Sequence, residues 1–488
     1  MLTIQIYLLC LFITIISCKN ASEWRSRSIY QILTDRFSPS NYTYNRCIEN
    51  PLSENASRNY CGGTYQGAID QLDYIEEMGF NAIWISPIPS NIDSETMYGV
   101  GFHGYWMNHL YQLNKYFGSE NDLIEFINEA HKRDIWIMLD VVANHVGPNI
   151  STNYFPFNKP EYFHQPLCFI QDYDNQTQDE FCSVGSVQLP LPDLNTENDF
   201  VITTLVSWIK ETVEKYNFDG IRIDTFRHIR QSFWVNYTSE AGVYSVGEVA
   251  TSNTSYVGSY QYFADGVLHY PLYFVLKLVF TDDNPTRQSM FTLEEQVQQN
   301  EIYFKDATLC GTFLDNHDQD RFLNHTQNPI RIQNALVYLM FSDGIPIFYY
   351  GTEQNFTGNP YVTNGATDPW NRLPLWTSGY NRTTPVYKYI SKLNQIRSYL
   401  KNQYDEQFFI SHQKTIFVDE NTYVYQKDEI LVIISNEPFN NTKYINLTSN
   451  SCSKQWKCLI SGEIITVNRF NLLQIKNWLP RILQPFSS

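Results

Sequence analysis

The sequence predicts a (β/α)8 TIM barrel with a loop subdomain after its third strand and a C-terminal antiparallel β domain. Three observations lead to this fold class. Eight short apolar runs alternate with helical patterns, the connection after the third run is long and polar, and alternating runs begin near residue 402. At 488 residues, the chain has room for a barrel of about 250 residues together with both additions.

The eight apolar runs have the continuous character of strands that a parallel sheet buries on both faces. Helical spacing in the segments between them is clearest over residues 122–132 and 200–216. Repeated strand–helix units of this kind predict a closed barrel. The runs span residues 29–33, 82–85, 135–139, 220–223, 244–247, 266–269, 311–314 and 345–349.

The remaining patterns divide the chain into parts. Residues 146–198 are polar and lack a clear helix, and a connection of this length is usually functional or a small subdomain. Beyond residue 402, short runs between turn residues predict antiparallel strands. The predicted parts are a signal peptide (1–18), a barrel in two segments (19–145 and 199–401), the loop subdomain (146–198) and the β domain (402–488).

The N-terminus is an apolar run followed by small and polar residues, as in a signal peptide and its cleavage zone. No Lys or Arg precedes the run, and an uncleaved membrane anchor is the alternative. Export to the exterior or to a lumenal compartment is also favoured by frequent Asn-X-Ser/Thr sequons. They include the sequons that begin at Asn41, Asn55, Asn149, Asn175, Asn236, Asn253, Asn324, Asn355, Asn381, Asn440 and Asn446.

The cysteines outside the leader region fall into local pairs, which is typical of an oxidising compartment. The spacing does not fix the connectivity, and local pairing is the simplest interpretation. Cys310 has no neighbour of this kind and is expected to be a buried free thiol. The expected pairs are Cys47 with Cys61, Cys168 with Cys182, and Cys452 with Cys458.

A formal net charge of −17 argues against nucleic acid and anionic membranes as partners. A neutral partner would not be repelled. After removal of the leader, the sequence predicts a monomer without membrane association.

Polar residues follow four of the predicted strands, at the end where a barrel carries its active site. A lone Asp after a strand is more often a helix N-cap than a catalyst. Four clusters around one mouth are hard to explain as caps, because buried carboxylates and histidines are costly unless they are paired or used. The clusters are Asp140 with Asn144 and His145, Arg222 with Asp224, Glu248, and Asp315 with Asn316, His317 and Asp318.

Two of these carboxylates suit the hydrolysis of an acetal. A retaining hydrolase needs a nucleophile and a proton donor about 5 to 5.5 Å apart, and it stabilises an oxocarbenium-like centre. Asp224 and Glu248 follow adjacent strands, so we expect Asp224 to attack and Glu248 to protonate the leaving oxygen. Arg222 would hold Asp224 ionised, and nearby carboxylates would keep a proton on Glu248. Asp318 would bind the distorted sugar.

In these stretches the sequence resembles glycoside hydrolase family 13, and within it the secreted fungal alpha-amylases. The resemblance covers roughly residues 24–380 and is loose in the later β domain. It implies a retaining mechanism with Asp224 as nucleophile, Glu248 as acid/base and Asp318 as the transition-state carboxylate. The matching stretches are residues 61–67, 102–106, 140–145, 189–194, 220–228, 247–249, 313–318 and 343–347.

The resemblance also implies a set of substrate-binding residues. Arg222 corresponds to the arginine beside the nucleophile, and His145 and His317 correspond to histidines that bind sugar hydroxyls. Arg227 replaces a lysine that contacts leaving-side sugars in the fungal enzymes, so product length or affinity is expected to differ. The other members are His103, Tyr105 and Trp106 on the substrate wall, His228, and Arg321 near the cleavage subsite.

Calcium is the cofactor that the resemblance implies. Its ligands would be Asn144, Glu180, Asp193 and the backbone carbonyl of His228. Oxygen ligands from distant segments suit Ca2+, which accepts irregular geometry, and the ion would tie the loop subdomain to the barrel. Turn or cap roles are the alternative for Asn144 and Asp193.

The activity implied by the resemblance is endo-hydrolysis of alpha-1,4-glucosidic bonds in starch, glycogen and related maltooligosaccharides, by a secreted enzyme. Two alternatives stay open. An alpha-glucosidase or transglycosylase would carry the same carboxylates, since loops around the acceptor subsites distinguish these activities. A non-catalytic, membrane-tethered homologue would usually have lost the carboxylates, all three of which are present here.

Overall fold

A computed structural model describes most of the chain between residues 19 and 486. The predicted signal peptide (1–18), Cys47 and Cys452 lie outside the described residues. The described residues are 19–40, 57–148, 154–282, 288–359, 367–437, 442–447, 455–468, 472–475 and 477–486.

The strands of the described part form one large barrel, one C-terminal sheet and three two-stranded ribbons. In chain order they are β1 (Ile29–Gln31), β2 (Ala82–Ile85), β3 (Pro89–Asn91), β4 (Met107–Leu113), β5 (Trp136–Val141), β6 (Gly185–Ser186), β7 (Leu189–Pro190), β8 (Gly220–Ile223), β9 (Tyr244–Gly247), β10 (Gly266–Val267), β11 (Gly311–Thr312), β12 (Ile345–Tyr349), β13 (Lys414–Val418), β14 (Thr422–Lys427), β15 (Ile430–Ser435), β16 (Lys443–Asn446), β17 (Gln455–Cys458), β18 (Ile464–Thr466), β19 (Leu472–Ile475) and β20 (Arg481–Pro485).

Eight parallel strands form the barrel in the spatial order β10–β9–β8–β5–β2–β1–β12–β11. A bridge between Leu268, which follows β10, and Gly311 of β11 joins the two ends of this sheet. The predicted TIM barrel is therefore confirmed. Strands β10 and β11 have only two residues each, fewer than the apolar runs that predicted them.

The α-helices lie mainly between the barrel strands and begin at polar caps. Ser119 forms a capping box with Asp122, and the side chains of Asn198 and Asn328 accept hydrogen bonds from the first turns of their helices. In chain order the helices are α1 (Ala21–Trp24), α2 (Thr34–Phe37), α3 (Tyr65–Asp70), α4 (Leu72–Glu77), α5 (Glu120–His131), α6 (Gln176–Phe181), α7 (Asp199–Tyr216), α8 (Gln231–Ala241), α9 (Thr254–Tyr260), α10 (Tyr270–Phe280), α11 (Met290–Tyr303), α12 (Phe322–His325), α13 (Pro329–Phe341), α14 (Pro385–Tyr404) and α15 (Gln407–Ile410).

Alternate residues of the barrel strands belong to two hydrophobic cores. Trp84 and Met138 pack inside the barrel, whereas their neighbours Ile83 and Ile137 pack against the surrounding helices. Trp24 of α1 joins the inner core, and its indole nitrogen donates to the backbone carbonyl of residue 219 at 3.1 Å. The next residue is a glycine, where a Cβ would lie 2.7 Å from the indole ring. The inner layer is therefore closely packed at this point, in keeping with barrels whose interiors are filled by side chains.

The loop subdomain projects after β5 and is tied together by a disulfide. Cys168 and Cys182 are bonded, which confirms that predicted pair. Helix α6 and the ribbon of β6 and β7 lie within or next to the enclosed segment. Cys61 is also disulfide-bonded, although its predicted partner lies outside the described residues.

Two buried cysteines are free thiols. Cys310 is free, as expected from its isolation in the sequence. Cys458 is also free, so the predicted bond between Cys452 and Cys458 is wrong. Cys458 ends β17 with its side chain inside the core of the C-terminal sheet, where Trp456 and Leu483 pack around it. Short spacing suggested a pair, but the strand directs this thiol inward.

The C-terminal sheet is antiparallel, in the order β13–β14–β15–β20–β17–β18, with the ribbon of β16 and β19 beside it. This confirms the predicted antiparallel fold. The sheet packs beside the end of helix α13 of the barrel through a buried ion pair, in which Lys427 Nζ lies 3.1 Å from Asp343 Oδ1. Tyr338 of α13 contacts Tyr425 at a centroid separation of 5.8 Å. Within the described ranges, none of the helices combines the length and apolarity needed to cross a membrane.

Candidate active site

The carboxyl ends of the barrel strands bring the predicted residues into one cleft of about 550 Å³. Asp224 follows β8 and Glu248 follows β9, and their backbone nitrogens still donate to neighbouring strands, at Val141 O and Ile223 O. Strand pairing therefore fixes where both side chains begin. The predicted residues that line the cleft are His103, Tyr105, Trp106, His145, Asp224, Arg227, His228, Glu248, His317 and Asp318.

One buried guanidinium contacts both central carboxylates. Arg222 Nη1 lies 2.8 Å from Asp224 Oδ1, and Nη2 lies 2.9 Å from Glu248 Oε2. Nη1 also donates to Asp140 Oδ1 at 2.8 Å, because Asp140 stands opposite Arg222 on the adjacent strand. The rigid fork of the guanidinium thus holds Asp224 and Glu248 side by side.

Thr225 forms a second link between the same two carboxylates. Its backbone nitrogen donates to Glu248 Oε2 at 3.1 Å, and its Oγ1 donates to Asp224 Oδ2 at 3.1 Å. Its φ of 48° lies in the left-handed region, which β-branched residues rarely adopt. Such strain persists only where surrounding contacts impose it, and it is common at functional sites.

The charges in this cluster favour a shared proton. Burial raises the pKa of Asp224, the Arg222 guanidinium opposes that rise, and the negative charges of Glu248, Asp140 and Asp318 add to it. Carboxylates this close cannot all ionise freely, so their mutual repulsion favours a proton on the cluster. One ionised and one protonated carboxyl group is the state that a nucleophile and a general acid require.

Three of the cleft histidines, His103, His145 and His317, are neutral because they are buried. Burial lowers the pKa of His145 to about 3 and the pKa values of His103 and His317 well below their usual range. Gln31 Nε2 lies 2.7 Å from His317 Nδ1, and the only role available to the amide nitrogen is to donate. The Nε2 of His317 therefore carries the hydrogen, 2.8 Å from the Tyr105 hydroxyl. A neutral ring of this kind can donate to a hydroxyl group without adding charge.

Arg372 is a cleft residue that the sequence did not indicate. It comes from the 3-10 helix Trp370–Arg372, and its Nη2 lies 2.9 Å from Asp318 Oδ1. Asp368 pairs with Arg372 at 3.2 Å and with Arg58 at 3.1 Å. These ion pairs form a charged wall beside Asp318.

Arg227 lies at the opposite side of the two carboxylates, where it joins the loop subdomain to the barrel. Its Nε lies 2.5 Å from Asp179 Oδ2, and its Nη2 donates to the Tyr173 carbonyl at 2.5 Å. His228 Nδ1 lies 3.2 Å from the Asp179 carbonyl. Both Arg227 and Asp179 are buried, so the guanidinium charge is neutralised by the loop.

Comparison with known proteins identifies the family. Residues 31–427 match the family model described as the alpha-amylase catalytic domain. The chain belongs to the alpha-amylase family. It is 40% identical over 414 residues to alpha-amylase 1 of Lipomyces kononenkoae, which covers 83% of this chain and 61% of that protein.

Two solved alpha-amylases share the whole fold. The enzyme from Malbranchea cinnamomea superposes with a TM-score of 0.87 at 36% identity, covering 96% of this chain and 97% of that chain. The enzyme from Geobacillus thermoleovorans, complexed with acarbose, has a TM-score of 0.79 at 30% identity, and the match covers 95% of this chain and 99% of that chain. The resemblance first noticed in short stretches thus extends across barrel and C-terminal sheet.

Arg321, which the alpha-amylase resemblance placed near the cleavage subsite, does not reach the cleft. Its side chain is fully buried, its Nη1 donates to the Tyr350 carbonyl, and its guanidinium lies 4.0 Å from the Tyr349 ring centre. The arginine beside Asp318 is Arg372. Two arginines follow the seventh and eighth strands, and only packing shows which of them faces the substrate space.

The residues of this chain that were expected to bind calcium lie on segments that contact each other in pairs. Leu194 N donates to the Asn144 carbonyl at 2.8 Å, which brings Asp193 beside Asn144, and Asp179 next to Glu180 contacts His228.

Some side-chain oxygens at this junction already accept hydrogen bonds, and others do not. Asp193 Oδ1 is buried without a hydrogen-bond partner, while Asp193 Oδ2 lies 2.5 Å from His164 Nδ1. One carboxylate oxygen of Glu180, Oε1, accepts from Gln176 Nε2 at 2.6 Å. In the part of the chain that is described, no three His, Cys, Asp or Glu side chains form a metal cluster.

Proposed function

We propose that this protein is a secreted, retaining endo-hydrolase of alpha-1,4-glucosidic bonds in starch, glycogen and related oligosaccharides. The observation that carries the proposal is the Arg222 guanidinium, which pairs with both Asp224 and Glu248 at the floor of the cleft. A nucleophile and a proton donor held against one sugar carbon are what retaining hydrolysis requires.

In the first step, an Asp224 oxygen bonds to the anomeric carbon as the bond to the glycosidic oxygen breaks. Glu248 gives its proton to that oxygen, so the leaving sugar departs neutral. Water then attacks the glycosyl–enzyme ester, Glu248 takes a proton from the water, and Asp224 leaves as a carboxylate. Asp318 and the neutral His317 would bind hydroxyls of the distorted sugar, and Arg222 would stabilise the charges on both carboxylates.

Binding of a neutral glucan is supported by the lining of the cleft. The Nε2 of His145 has no partner among the described residues, so it is available to a sugar hydroxyl. Exposed aromatic rings lie on both sides of the carboxylates: Tyr98 lies near Arg58 in the charged wall, and Tyr173 lies near Arg227. Sugar rings bind well to such half-polar aromatic surfaces. Space on both sides of the scissile bond favours endo action.

Calcium fits the oxygen-rich junction between the loop subdomain and the barrel. Asn144, Glu180, Asp193 and the backbone carbonyl of His228 would hold the ion. The buried, unpartnered Asp193 Oδ1 supports this assignment, since an orphaned carboxylate oxygen is costly without a cation. The ion would secure the wall that carries Arg227 and His228 rather than take part in bond cleavage.

Product analysis tests the catalytic proposal. The wild-type enzyme should cleave maltoheptaose that is blocked at its non-reducing end and release products of retained α configuration. Asp224→Asn and Glu248→Gln should each lower kcat by a factor of about 10³ or more, with melting temperatures close to wild type. Near-wild-type turnover in Asp224→Asn would refute the nucleophile assignment. Cleavage only of unblocked ends would favour the alpha-glucosidase alternative.

Chelation tests the calcium proposal. An ion bound only by the folded state stabilises it, by about 2.7 kcal/mol at a hundredfold excess over Kd. EDTA should therefore lower the melting temperature of the wild-type protein, and added calcium should restore it. Asp193→Asn should melt at a lower temperature and no longer respond to EDTA. An identical wild-type melting curve with and without EDTA would contradict the site.

A further inference from the structure

A buried side-chain relay lies behind Glu248, on the side away from the cleft. The Tyr270 hydroxyl donates to Glu248 Oε1 at 3.1 Å, and Asn316 Nδ2 donates to the same hydroxyl at 3.2 Å. Tyr270 is 1% exposed and Asn316 is 3% exposed, and neither borders the cleft. These two residues can therefore act on a substrate only through the groups that they hold.

The direction of each hydrogen bond in the relay is determined. Asn316 Oδ1 accepts from Asp318 N at 2.9 Å, so the amide nitrogen must be the end that faces Tyr270. Because that nitrogen donates to the hydroxyl, the hydroxyl hydrogen is directed at Glu248 Oε1. Burial raises the pKa of Tyr270 well above its usual range, which keeps the hydroxyl protonated. One amide thus orients the backbone at Asp318 and, through Tyr270, the carboxyl group of Glu248.

The two oxygens of Glu248 have different surroundings. Oε2 faces the Thr225 backbone N–H and Arg222 Nη2, at 3.1 and 2.9 Å. The Thr225 N–H donates to Oε2, and the Arg222 guanidinium places a positive charge beside the same oxygen without making a hydrogen bond to it. Oε1 faces the Tyr270 hydroxyl alone among the described residues and retains a lone pair. A proton on Oε2 would point at a guanidinium, whereas a proton on Oε1 meets no such repulsion.

We propose that Tyr270 and Asn316 are positioning residues that make Oε1 of Glu248 the proton-bearing oxygen and stabilise the carboxylate that remains after proton transfer. The inference rests on the proposed function, in which Glu248 is the general acid. When Oε1 gives its proton to the glycosidic oxygen, the bond from Tyr270 becomes charge-assisted and strengthens. The ring of Tyr270 is held for this task by Phe313, whose centroid lies 5.0 Å away.

The test compares two substrates that differ in their need for a proton. Maltoheptaose requires protonation of its leaving oxygen, whereas fluoride leaves α-maltotriosyl fluoride with little assistance. Tyr270→Phe should lower kcat on maltoheptaose about tenfold with KM within about twofold, because the lost bond acts in the proton-transfer step. Its kcat/KM on the fluoride should stay near wild type, because that ratio reports the glycosylation step, in which fluoride needs little protonation. Equal losses on both substrates would overturn the proposal.

The rate–pH profile provides a second readout. The Tyr270 hydroxyl stabilises ionised Glu248, so its removal should move the alkaline limb for maltoheptaose to higher pH while the maximum falls. The other charged or titratable groups around Glu248 are unchanged in the variant, and they are Arg222, Asp224, Asp318 and His317. A loss of rate without a shift of the limb would indicate a purely structural role and overturn the proposal.

Matched variants complete the experiment. Tyr273 is a buried tyrosine on the same helix that makes no hydrogen bond to Glu248 or Asn316, so Tyr273→Phe should behave as wild type. Asn316→Ala should also lower kcat on maltoheptaose, and an unchanged kcat would count against the relay. Melting temperatures would show that the variants fold.

The Glu248→Gln variant separates the inference from the function on which it rests. If Glu248→Gln hydrolyses maltoheptaose normally, the proposed function fails. If Glu248→Gln is inactive on maltoheptaose and Tyr270→Phe matches wild type, only the relay fails.

Discussion

At the scale of single residues, the barrel strands determine where the central side chains of the cleft meet. Asp224, Glu248 and Arg222 lie on or directly after barrel strands, so their meeting follows from the order of those strands. Arg372 and Tyr270 come from a 3-10 helix and from a helix start, whose approach depends on packing across the whole barrel. No local pattern distinguishes such residues from ordinary surface or core positions.

The ion pair between Arg227 and Asp179 links the barrel to the loop subdomain. The side chain of Asp179 is fully buried and that of Arg227 is 9% exposed. Because Asp179 neutralises Arg227 and the Tyr173 carbonyl accepts from it, this arginine is a link between loop and barrel. The expectation that Arg227 alters product length stays a prediction, and its physical basis would be the fixed position of Tyr173.

Asp179→Asn should therefore destabilise the protein. Removing one partner of a buried pair leaves an uncompensated charge, which costs about 3 kcal/mol or more. Urea unfolding at constant calcium would measure the loss. The control is Glu240→Gln, which breaks an exposed pair with Lys210 and should cost less than about 1 kcal/mol. Equal effects of the two substitutions would contradict the structural role of Asp179.

At the scale of elements, apolar runs predicted the barrel strands correctly but overestimated two of them. Leu268 and Phe313 continue the runs of β10 and β11, yet they are apolar because they fill the inner core and not because they extend the strands. Apolar patterning reports burial, and it indicates strand length only where pairing and burial coincide. The alignment of Asp140, Arg222 and Glu248 depends on strands β5, β8 and β9, which are longer than β10 and β11.

At the end of β9, the packing leaves no room for a Cβ atom at Gly247. A Cβ at Gly247 would lie 2.4 Å from the Phe226 ring, and Phe226 N donates to Glu248 O at 3.0 Å. Gly247→Ala should displace Phe226 and with it the turn that links the two carboxylates. We expect a loss of about 1 to 3 kcal/mol in unfolding free energy together with a lower kcat.

Chemical denaturation and steady-state kinetics would measure both effects of Gly247→Ala. The double variant Phe226→Leu/Gly247→Ala provides the internal control, because a smaller side chain makes room for the methyl group. It should recover part of the kcat that Gly247→Ala loses. If Gly247→Ala is as stable and active as wild type, the close contact with Phe226 is not important.

At the scale of the whole molecule, barrel and C-terminal sheet are joined by buried polar contacts. The Lys427 side chain is 2% exposed and pairs with Asp343, Arg331 Nε donates to the Asn436 carbonyl at 3.0 Å, and Ser435 N donates to Asn334 Oδ1 at 2.8 Å. Neither part can leave the other without exposing these groups, so we expect the two to unfold together.

Differential scanning calorimetry tests this coupling. The wild-type protein should show a single transition, and Lys427→Met should lower its midpoint without splitting it, because Asp343 then loses a buried cation on the barrel side. Lys414→Met, an exposed lysine of the same sheet, should leave the midpoint nearly unchanged. Two separate transitions in the wild-type protein would show that the parts are independent.

The same ion pair limits how this architecture can be recombined. Consider a chimera in which the terminal sheet of another enzyme, the donor, replaces the sheet on this barrel. Its barrel would keep the acidic side chain at position 343, and the donor sheet would have to provide a lysine to pair with it. Unless the donor supplies that cation, the graft should express poorly whatever the quality of its own folding. Residues 343 and 427 would therefore have to be exchanged as a unit.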